Sequence, residues 1–424
     1  MSESSAQRTL SSAVHILSGF AFSSAGFDSI DGLPLVRIRD LGGVTTAVRF
    51  KGTFDRDFLI RDGDILIGMD GDFEVHRWLG GEALLNQRVC KVEPISDEID
   101  RRFLFWYLKP NVAGIHRKAP QTTVRHLSAK DLAAIVLPSI DSDCQRVVGR
   151  ILDTLDTAIH ETEALIAKLK AVKQGLLHDL LTRGIDANGE LRPTQPGAPH
   201  LYKASPLGWI PKEWSVELLG ELAESLVDGP FGSNLKTAHY VENPGVRVVR
   251  LQNIGAGSYN DSVRAFVSES RAASLLRNRV ISGDVLIASL GDELHPVGRA
   301  CLYPDGLPDA INKADCFRFR SGSRCLNDFI LYFLNGDAAR RQARGYEQGV
   351  TMKRINLGNL RRIRIALPAV GEQETIVERM TKIDSHARAV FLELDKLQSK
   401  KKGLMDDLLT GRVRVAPLLD AATA

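Results

Sequence analysis

The sequence predicts an α+β chain built as a tandem pseudo-repeat: two globular α/β modules, each followed by a long helix, with the two helices pairing as an antiparallel coiled coil. Three observations predict it. The octapeptide GLLHDLLT at 175–182 returns as GLMDDLLT at 403–410. The residues ahead of each copy carry a heptad series of apolar side chains. Upstream of both, short β-branched runs alternate apolar and polar residues between Gly-Asp turns.

The repeat has an offset of 228 residues. It holds from Thr123/Thr351 to Leu132/Leu360, shifts by two around Leu137-Pro138 and Leu367-Pro368, then runs without a gap from Gln145/Gln373 to Thr182/Thr410. Weaker matches continue upstream in the same order: FLFWYL (103–108) with FILYFL (329–334), NQRVCKV (86–92) with NKADCFRF (312–319), GDILI (63–67) with GDVLI (283–287), and LVRIRDLG (35–42) with VVRLQNIG (248–255). A unit this long is a duplicated module, not a solenoid turn. Its last 40 residues keep register while the upstream part changes length and surface. That pattern suits one scaffold carrying two specificities; plain divergence, with loops drifting faster than helices, is the alternative.

In chain order, the first module (1–142) holds the strands PLVRIRDL and GDILIGMDGD and the helix RRFLFWYLK. A helix at 143–182 follows, its seam formed by Val148, Leu152, Leu155, Ile159, Thr162, Ile166, Leu169, Lys173, Leu176 and Leu180. The segment 183–207 is polar and rich in Pro and Gly, and reads as a linker. The second module (208–370) holds GVRVVRLQNI and GDVLIASLGD as strands, NDFILYFLNGDAARRQA as helix and LRRIRIALP as a strand stopped by Pro. The helix at 371–410 repeats the seam as Ile376, Met380, Ile383, Ala387, Val390, Leu394, Leu397, Lys401, Leu404 and Leu408, and 411–424 is a tail. Each helix is roughly 55–60 Å long at 1.5 Å per residue. The two stripes satisfy each other in one chain, and an antiparallel pairing needs no long return path. Lys173 and Lys401 break both seams at the same position; they fix register or snorkel out to water.

Hydrophobic content of 44% and charged content of 25% are those of an ordinary globular protein. The formal net charge of +3 announces no global basic field. The first module carries 17 Lys+Arg against 18 Asp+Glu and the second 21 against 17, so positive charge is local. It gathers at Arg117, Lys118 and Arg125 in the first module and at Arg340, Arg341, Arg344, Lys353 and Arg354 in the second. Such clusters hold phosphates or form a solvated face. Base edges are read by Arg on guanine and by Asn or Gln on adenine. Candidates with that chemistry sit at strand ends (Arg37 and Arg39; Arg250, Gln252 and Asn253) and in loops (Gln87 and Arg88; Asn312 and Lys313).

The N-terminus shows no signal-peptide pattern, and the uncharged stretch 9–27 is broken by five Ser and two Gly, which speaks against a membrane span. Five scattered cysteines show no CxxC or zinc spacing and fit a reducing cytoplasm. There is no GxxxxGK[ST] loop, no GxGxxG after a strand, no Asn-Pro-Pro-Tyr-like tetrapeptide and no HExxH. His178 has Asp406 as its counterpart, which argues against catalysis there, and GDF (71–73) and GDE (291–293) read as turns. No catalytic or metal-binding residue is nominated.

The combination resembles the specificity subunit of type I restriction-modification systems. The residues that carry the resemblance are KQGLLHDLLTRGID and KKGLMDDLLTGRVRV, GWIPKEW (208–214), VVRLQNI, and the Leu-Pro…Glu-Gln approach IALPAVGEQETIVERM (365–380). The first module lacks a GWIPKEW counterpart and opens near SGFAFSS (18–24); either that module is truncated or packing of the tail 411–424 replaces its opening. The resemblance implies a non-catalytic, cytoplasmic, DNA-binding subunit with two target-recognition domains. Each would read one half of a bipartite double-stranded DNA site. The helices would set the spacer and dock two modification subunits, which carry S-adenosylmethionine and methylate adenine. Restriction subunits would add translocation and cleavage driven by ATP and Mg. A subunit of a related system with a fused methylase-nuclease, a coiled-coil scaffold that binds no DNA, and an enzyme with an unrecognised site are the alternatives.

Overall fold

The computed structural model describes residues 8–118, 125–230, 232–242, 244–413 and 415. The chain forms two compact units, one of residues 1–164 with 391–424 and one of residues 165–390. The predicted linear boundaries therefore give way to units that each take half of both long helices.

Each unit is built from the same pair of sheets. In unit 1 a four-stranded antiparallel sheet runs in the order Val14–Ser18, Val89–Pro94, Ile65–Gly68, Val75–Arg77. A five-stranded sheet has Leu33–Val36 and Ala83–Leu85 as a parallel pair at its centre. Unit 2 repeats both: Ala223–Val227, Cys316–Ser321, Val285–Ala288, Ala300–Leu302 in one sheet, and the parallel pair Val246–Val249 with Ala310–Asn312 in the other. The central strands Ile65–Gly68 and Val285–Ala288 are buried along their whole length, as apolar runs covered on both faces must be. Their Gly-Asp openings have a physical cause. Gly63 and Gly283 take φ of +90° and +79°, and Asp64 and Asp284 accept the Arg61 and Ile281 N–H at 2.9 Å to close the turn.

The helix α1 (Arg101–Lys118) packs on the unit 1 sheets. The long helix α2 spans Ser142–Thr182. In unit 2 the predicted single helix over 327–343 divides into α3 (Asn327–Asn335) and α4 (Asp337–Tyr346). The break is Gly336, extended at φ −83°, ψ 164°, where an added Cβ would meet Leu181 Cδ1 at 2.8 Å. The second long helix, α5, spans Val370–Leu408.

Burial along both long helices follows the heptad positions. Val148, Leu152, Leu155, Ile159, Ile166 and Leu180 on α2 and Ile376, Met380 and Leu408 on α5 are buried. Leu169 and Leu176 on α2, and Ile383, Val390, Leu394, Leu397 and Leu404 on α5, are half-buried. Within unit 1, Asp156 pairs with Lys401 and Glu163 meets Gln398. Numbers rise along α2 as they fall along α5, so this half is antiparallel. Within unit 2, Lys173 pairs with Asp384, and Leu180 shares a core with Ile376 and Met380. The two ion pairs are related residue by residue by the repeat. Each seam lysine therefore reaches an aspartate on the facing helix.

Two buried glutamines explain why the repeat is so strict where the helices begin. Gln145 Oε1 accepts the Asp100 N–H at 3.0 Å, and its Nε2 donates to the carbonyls of Ile140 (2.8 Å) and Glu98 (3.3 Å). Gln373 does the same with Leu326 N–H (3.0 Å) and the carbonyls of Pro368 (2.9 Å) and Arg324 (3.1 Å). A buried amide with both ends satisfied is costly to replace.

The segment 183–207 is no free linker. Ile185, Ala198 and Tyr202 are buried, and Tyr202–Ser205 forms a hairpin with Gly208–Pro211. Its anchor is Glu372, whose carboxylate accepts from Ile185 N–H (2.7 Å), Trp214 Nε1 (3.0 Å) and Arg192 Nη2 (3.2 Å). Gly184 lies against that carboxylate at φ +65°, where a Cβ would sit 2.2 Å from Oε1. Cys144 stands at the matching position of unit 1, so the clamp belongs to unit 2 alone. At the other end, Leu408, Leu409 and Val415 join the unit 1 core; Arg414 and residues 416–424 of the predicted tail lie outside the described residues. All five cysteines are buried, and none of them is in a disulfide.

Candidate nucleic-acid interface

Three segments meet at one corner of each unit, held by matching backbone hydrogen bonds. In unit 1, Met69 N–H donates to Arg88 O (2.8 Å) and Leu127 N–H donates to Met69 O (2.7 Å). In unit 2, Ser289 N–H donates to Asp315 O and Ile355 N–H to Ser289 O, both at 2.9 Å. The corner therefore joins the end of the central strand, the loop after the parallel pair, and the segment that leads toward the long helix.

The side chains on this shared frame differ in sign. Arg88 and Asp315 occupy the same loop position, both with positive φ, +75° and +69°, an uncommon conformation for residues other than glycine. In unit 1 the loop supplies the cation: Arg88 Nη1 lies 3.1 Å from Asp70 Oδ2, and His126 Nδ1 lies 2.7 Å from Asp70 Oδ1. In unit 2 the loop supplies the acid: Arg354 Nη2 lies 2.6 Å from Asp315 Oδ1. Asp228 stands close by, with a buried Oδ1 that has no hydrogen-bond partner. Burial pushes its carboxyl up to about 6; the Gly229 N–H and Arg354 oppose the rise and Asp315 adds to it.

Strand register corrects one sequence alignment. Val36 lies opposite Leu85 and Val249 opposite Asn312. Leu85, not Asn86, is thus the counterpart of Asn312, and matching the two asparagines slips the loops by one residue. Asn312 is fully buried; its Nδ2 donates to Cys316 O (2.6 Å) and its Oδ1 accepts from Asn278 (3.1 Å). Asn253 is likewise buried, accepting the Arg250 N–H (2.8 Å) and donating to Asn260 and Val263 carbonyls. Its counterpart Asp40 holds the Arg37 N–H (3.0 Å) and Nε (3.3 Å). The side-chain amides of Asn253 and Asn312 and the Nε of Arg37 are thus engaged inside the fold. Arg250 is half-buried, its Nε enclosed without a partner.

The remaining candidates differ in how far they reach outward. Arg39 and Gln252 are exposed on those same turns, and Gln87 is exposed beside Arg88. Lys313 is half-buried and lies 5.4 Å from the Tyr240 ring centroid. Arg117 and Lys118 are exposed in the last turn of α1, where the helix C-terminus favours cations. Arg125 packs on His116. On α4, Arg341 and Arg344 are exposed, whereas Arg340 Nε is tied to Asn335 O at 3.0 Å. Lys353 is exposed and pairs with Glu347 at 3.2 Å. Sequence reasoning missed Asp70, His126, Asp228 and Asp315, because acids near Gly read as turn formers and a positive φ leaves no mark in the sequence. Among the described residues no group of His, Cys, Asp and Glu could hold a metal ion, and no helix is long and apolar enough to cross a membrane.

Comparison with known proteins adds the following. The type I restriction modification DNA specificity domain matches residues 5–171 and again 211–390. The EcoBI type I restriction enzyme specificity subunit of Escherichia coli is 25% identical over 411 residues, covering 96% of this chain and 85% of that one. The MjaVIII specificity subunit of Methanocaldococcus jannaschii is 26% identical over 385 residues, covering 88% and 84%. Among solved structures, the S subunit of a type I restriction-modification system from M. genitalium superposes with a TM-score of 0.59 at 17% identity, over 95% of each chain. A chain from a structure describing complex assembly and conformational transition of the type I R-M system gives 0.53 at 16% identity, over 96% of this chain and 98% of that one.

Proposed function

Since this chain belongs to the type I restriction-modification DNA specificity family, and is a specificity subunit with two tandem target-recognition domains, we propose that each domain reads one half of a bipartite DNA target. The paired helices set the unread spacer. The chain works without chemistry of its own, in a cytoplasmic complex whose modification subunits use S-adenosylmethionine to methylate adenine. Restriction subunits add cleavage driven by ATP and Mg.

The observation that carries this reading is the corner described above. An identical backbone frame presents an arginine in one unit and an aspartate in the other, as two different half-sites require. A second observation supports equivalent docks for two modification subunits. In unit 1 a groove of ≈ 1020 Å³ is lined by Lys402, Met405, Asp406, Leu409 and Thr410. In unit 2 a groove of ≈ 380 Å³ is lined by Gln174, Leu177, His178, Leu181 and Thr182. These are the same five helix positions, one repeat apart, and they lie on the twice-written octapeptide or just before it.

The test is a methylome of the native host, with and without this gene, read at single-base resolution. Loss of one bipartite adenine-methylated motif is the expected result. An unchanged methylome, together with failure to co-purify any methyltransferase subunit, would reject the reading.

A further inference from the structure

Unit 1 carries a second concentration of guanidinium groups, away from the corner. A cleft of ≈ 740 Å³ is lined by Arg77, Arg101, Arg102, Arg146 and Arg150, with Gly63, Asp100 and Asp153. The five arginines come from three elements: the edge strand Val75–Arg77, the start of α1, and the second and third turns of α2. Asp153 forms the floor. It accepts Trp106 Nε1 at 2.8 Å and faces Arg77 (3.1 Å) and Arg102 (3.6 Å). The Arg77 guanidinium carbon lies over the Phe105 ring, 4.3 Å from its centroid. The Asp100 carboxylate is occupied in capping α1, accepting the N–H groups of Arg102 and Phe103 at 2.9 Å. Arg101 pairs at the cleft edge with Glu93 (2.7 Å) and Asp64 (3.4 Å), and Arg146 with Asp143. Arg150 is exposed and has no ion pair among the described residues. Arg101, Arg102 and Arg146 keep 42–56% of their side-chain surface open to water.

The repeat supplies the contrast. Strand register makes Leu302 the counterpart of Arg77, since Ile65 lies opposite Arg77 as Val285 lies opposite Leu302. Arg101 and Arg102 correspond to Asn327 and Asp328, and Arg146 and Arg150 to Glu374 and Glu378. Asp153 becomes Thr381 and Asp100 becomes Leu326. Five cations in one unit are thus replaced by three anions and two neutral residues in the other. Two identical partner subunits docking on both copies could not match both signs.

We propose that this cleft is a phosphate-binding site that grips the DNA backbone on the side of the first recognition domain only. Several exposed arginine forks can each hold a phosphate through two N–H groups, which lysines or a diffuse field would not do. The site would add affinity without reading bases. The two half-sites would then be held unequally, with sequence reading at both corners and a backbone clamp at one. This inference rests on the reading of the chain as a DNA specificity subunit.

The experiment uses the full chain co-expressed with its modification subunits, and measures binding to a duplex bearing its methylated motif as salt is varied. Arg146→Glu with Arg150→Glu should lower the slope of log K against log salt by about 2, at roughly 0.9 per phosphate contact. It should leave the recognised motif unchanged. Arg146→Lys with Arg150→Lys should lose part of the affinity and keep most of the slope, which guards against a folding defect. Glu374→Gln with Glu378→Gln should leave the slope as it was. An unchanged slope in the Glu variant would overturn the proposal. So would loss of modification subunits from that variant, which makes the cleft a protein contact, or saturable ATP binding that the variant abolishes with DNA binding intact. A wild-type complex that binds no DNA would instead overturn the functional reading itself.

Discussion

Lys401 and Lys173 occupy the same seam position one repeat apart, yet their surroundings predict unequal costs of removal. Lys401 pairs with Asp156, the side chains 20% and 27% exposed, and its ammonium lies 4.6 Å from the Trp106 ring centroid. Lys173 pairs with Asp384 at 34% and 35% exposure, and Asp384 keeps the Tyr332 hydroxyl at 3.1 Å when the lysine is gone. Stranding a partly buried carboxylate costs about 1–1.5 kcal/mol once solvent screening is allowed for. The ring contact adds about 0.5–1 kcal/mol. Lys401→Met should therefore destabilise unit 1 by about 2 kcal/mol, and Lys173→Met should destabilise unit 2 by about 1 kcal/mol. The chain has two units and is not expected to unfold in one step, so urea unfolding should be followed unit by unit, through Trp78 and Trp106 in one and Trp209 and Trp214 in the other. Combining Lys401→Met with Asp156→Leu should recover most of the loss, because an apolar pair replaces an ionic one at little cost. Two variants indistinguishable from wild type, or a double-mutant cycle that is additive within ~0.3 kcal/mol, would refute the reasoning.

Asp228 should make unit 2 sensitive to pH. Its carboxyl is raised to about 6 in the fold against about 3.9 in an unfolded chain, so the native state binds the proton more tightly. Its cost to stability is absent below about pH 4, grows through the window between these values and is complete above 6. Asp228→Asn should raise stability at pH 7.5 by roughly 1 kcal/mol after discounting for its exposure, and have no effect near pH 4; equal effects at both pH values would contradict this. Glu372→Ala leaves the Arg192 guanidinium and two N–H donors without their acceptor and should cost unit 2 about 3 kcal/mol, read from Trp214 fluorescence in denaturant. Arg39→Ala should relax one half-site in a methylome and Gln252→Ala the other. Asn253→Ala and Asn312→Ala should instead lower stability and leave both half-sites unchanged.

The coiled-coil seam was legible because period alone places it: each residue of both heptad series is buried or half-buried. The Gly-Asp turns were legible for a similar reason, since the dipeptide names both the positive φ and the closing carboxylate. Gln145 and Gln373 stood out as a strict repeat, but each takes one N–H and one carbonyl partner from a turn 45–49 residues upstream, a distance that no local pattern spans. The 183–207 segment misled because Pro and Gly mark a linker in composition, while its order comes from Glu372, 187 residues beyond Ile185. The reading surface was the least legible part. Asn253 and Asn312 have the chemistry of adenine readers and spend it inside the fold, Asn253 on backbone groups and Asn312 on Cys316 O and the Asn278 side chain. Arg88 and Asp315 could be matched only through strand register, because the Asn86/Asn312 coincidence draws any sequence alignment one residue out of step.

The central claim is that two fixed readers are spaced by a shared pair of helices. It is tested by inserting one heptad into both helices, between Asp156 and Lys173 in α2 and between Asp384 and Lys401 in α5, and sequencing the methylome of the host carrying that variant. Seven residues add about 10.5 Å, or about three base pairs at 3.4 Å each. The account predicts the same two half-sites with a spacer lengthened by about that much. An unchanged spacer, or half-sites that change while the spacer does not, would contradict it.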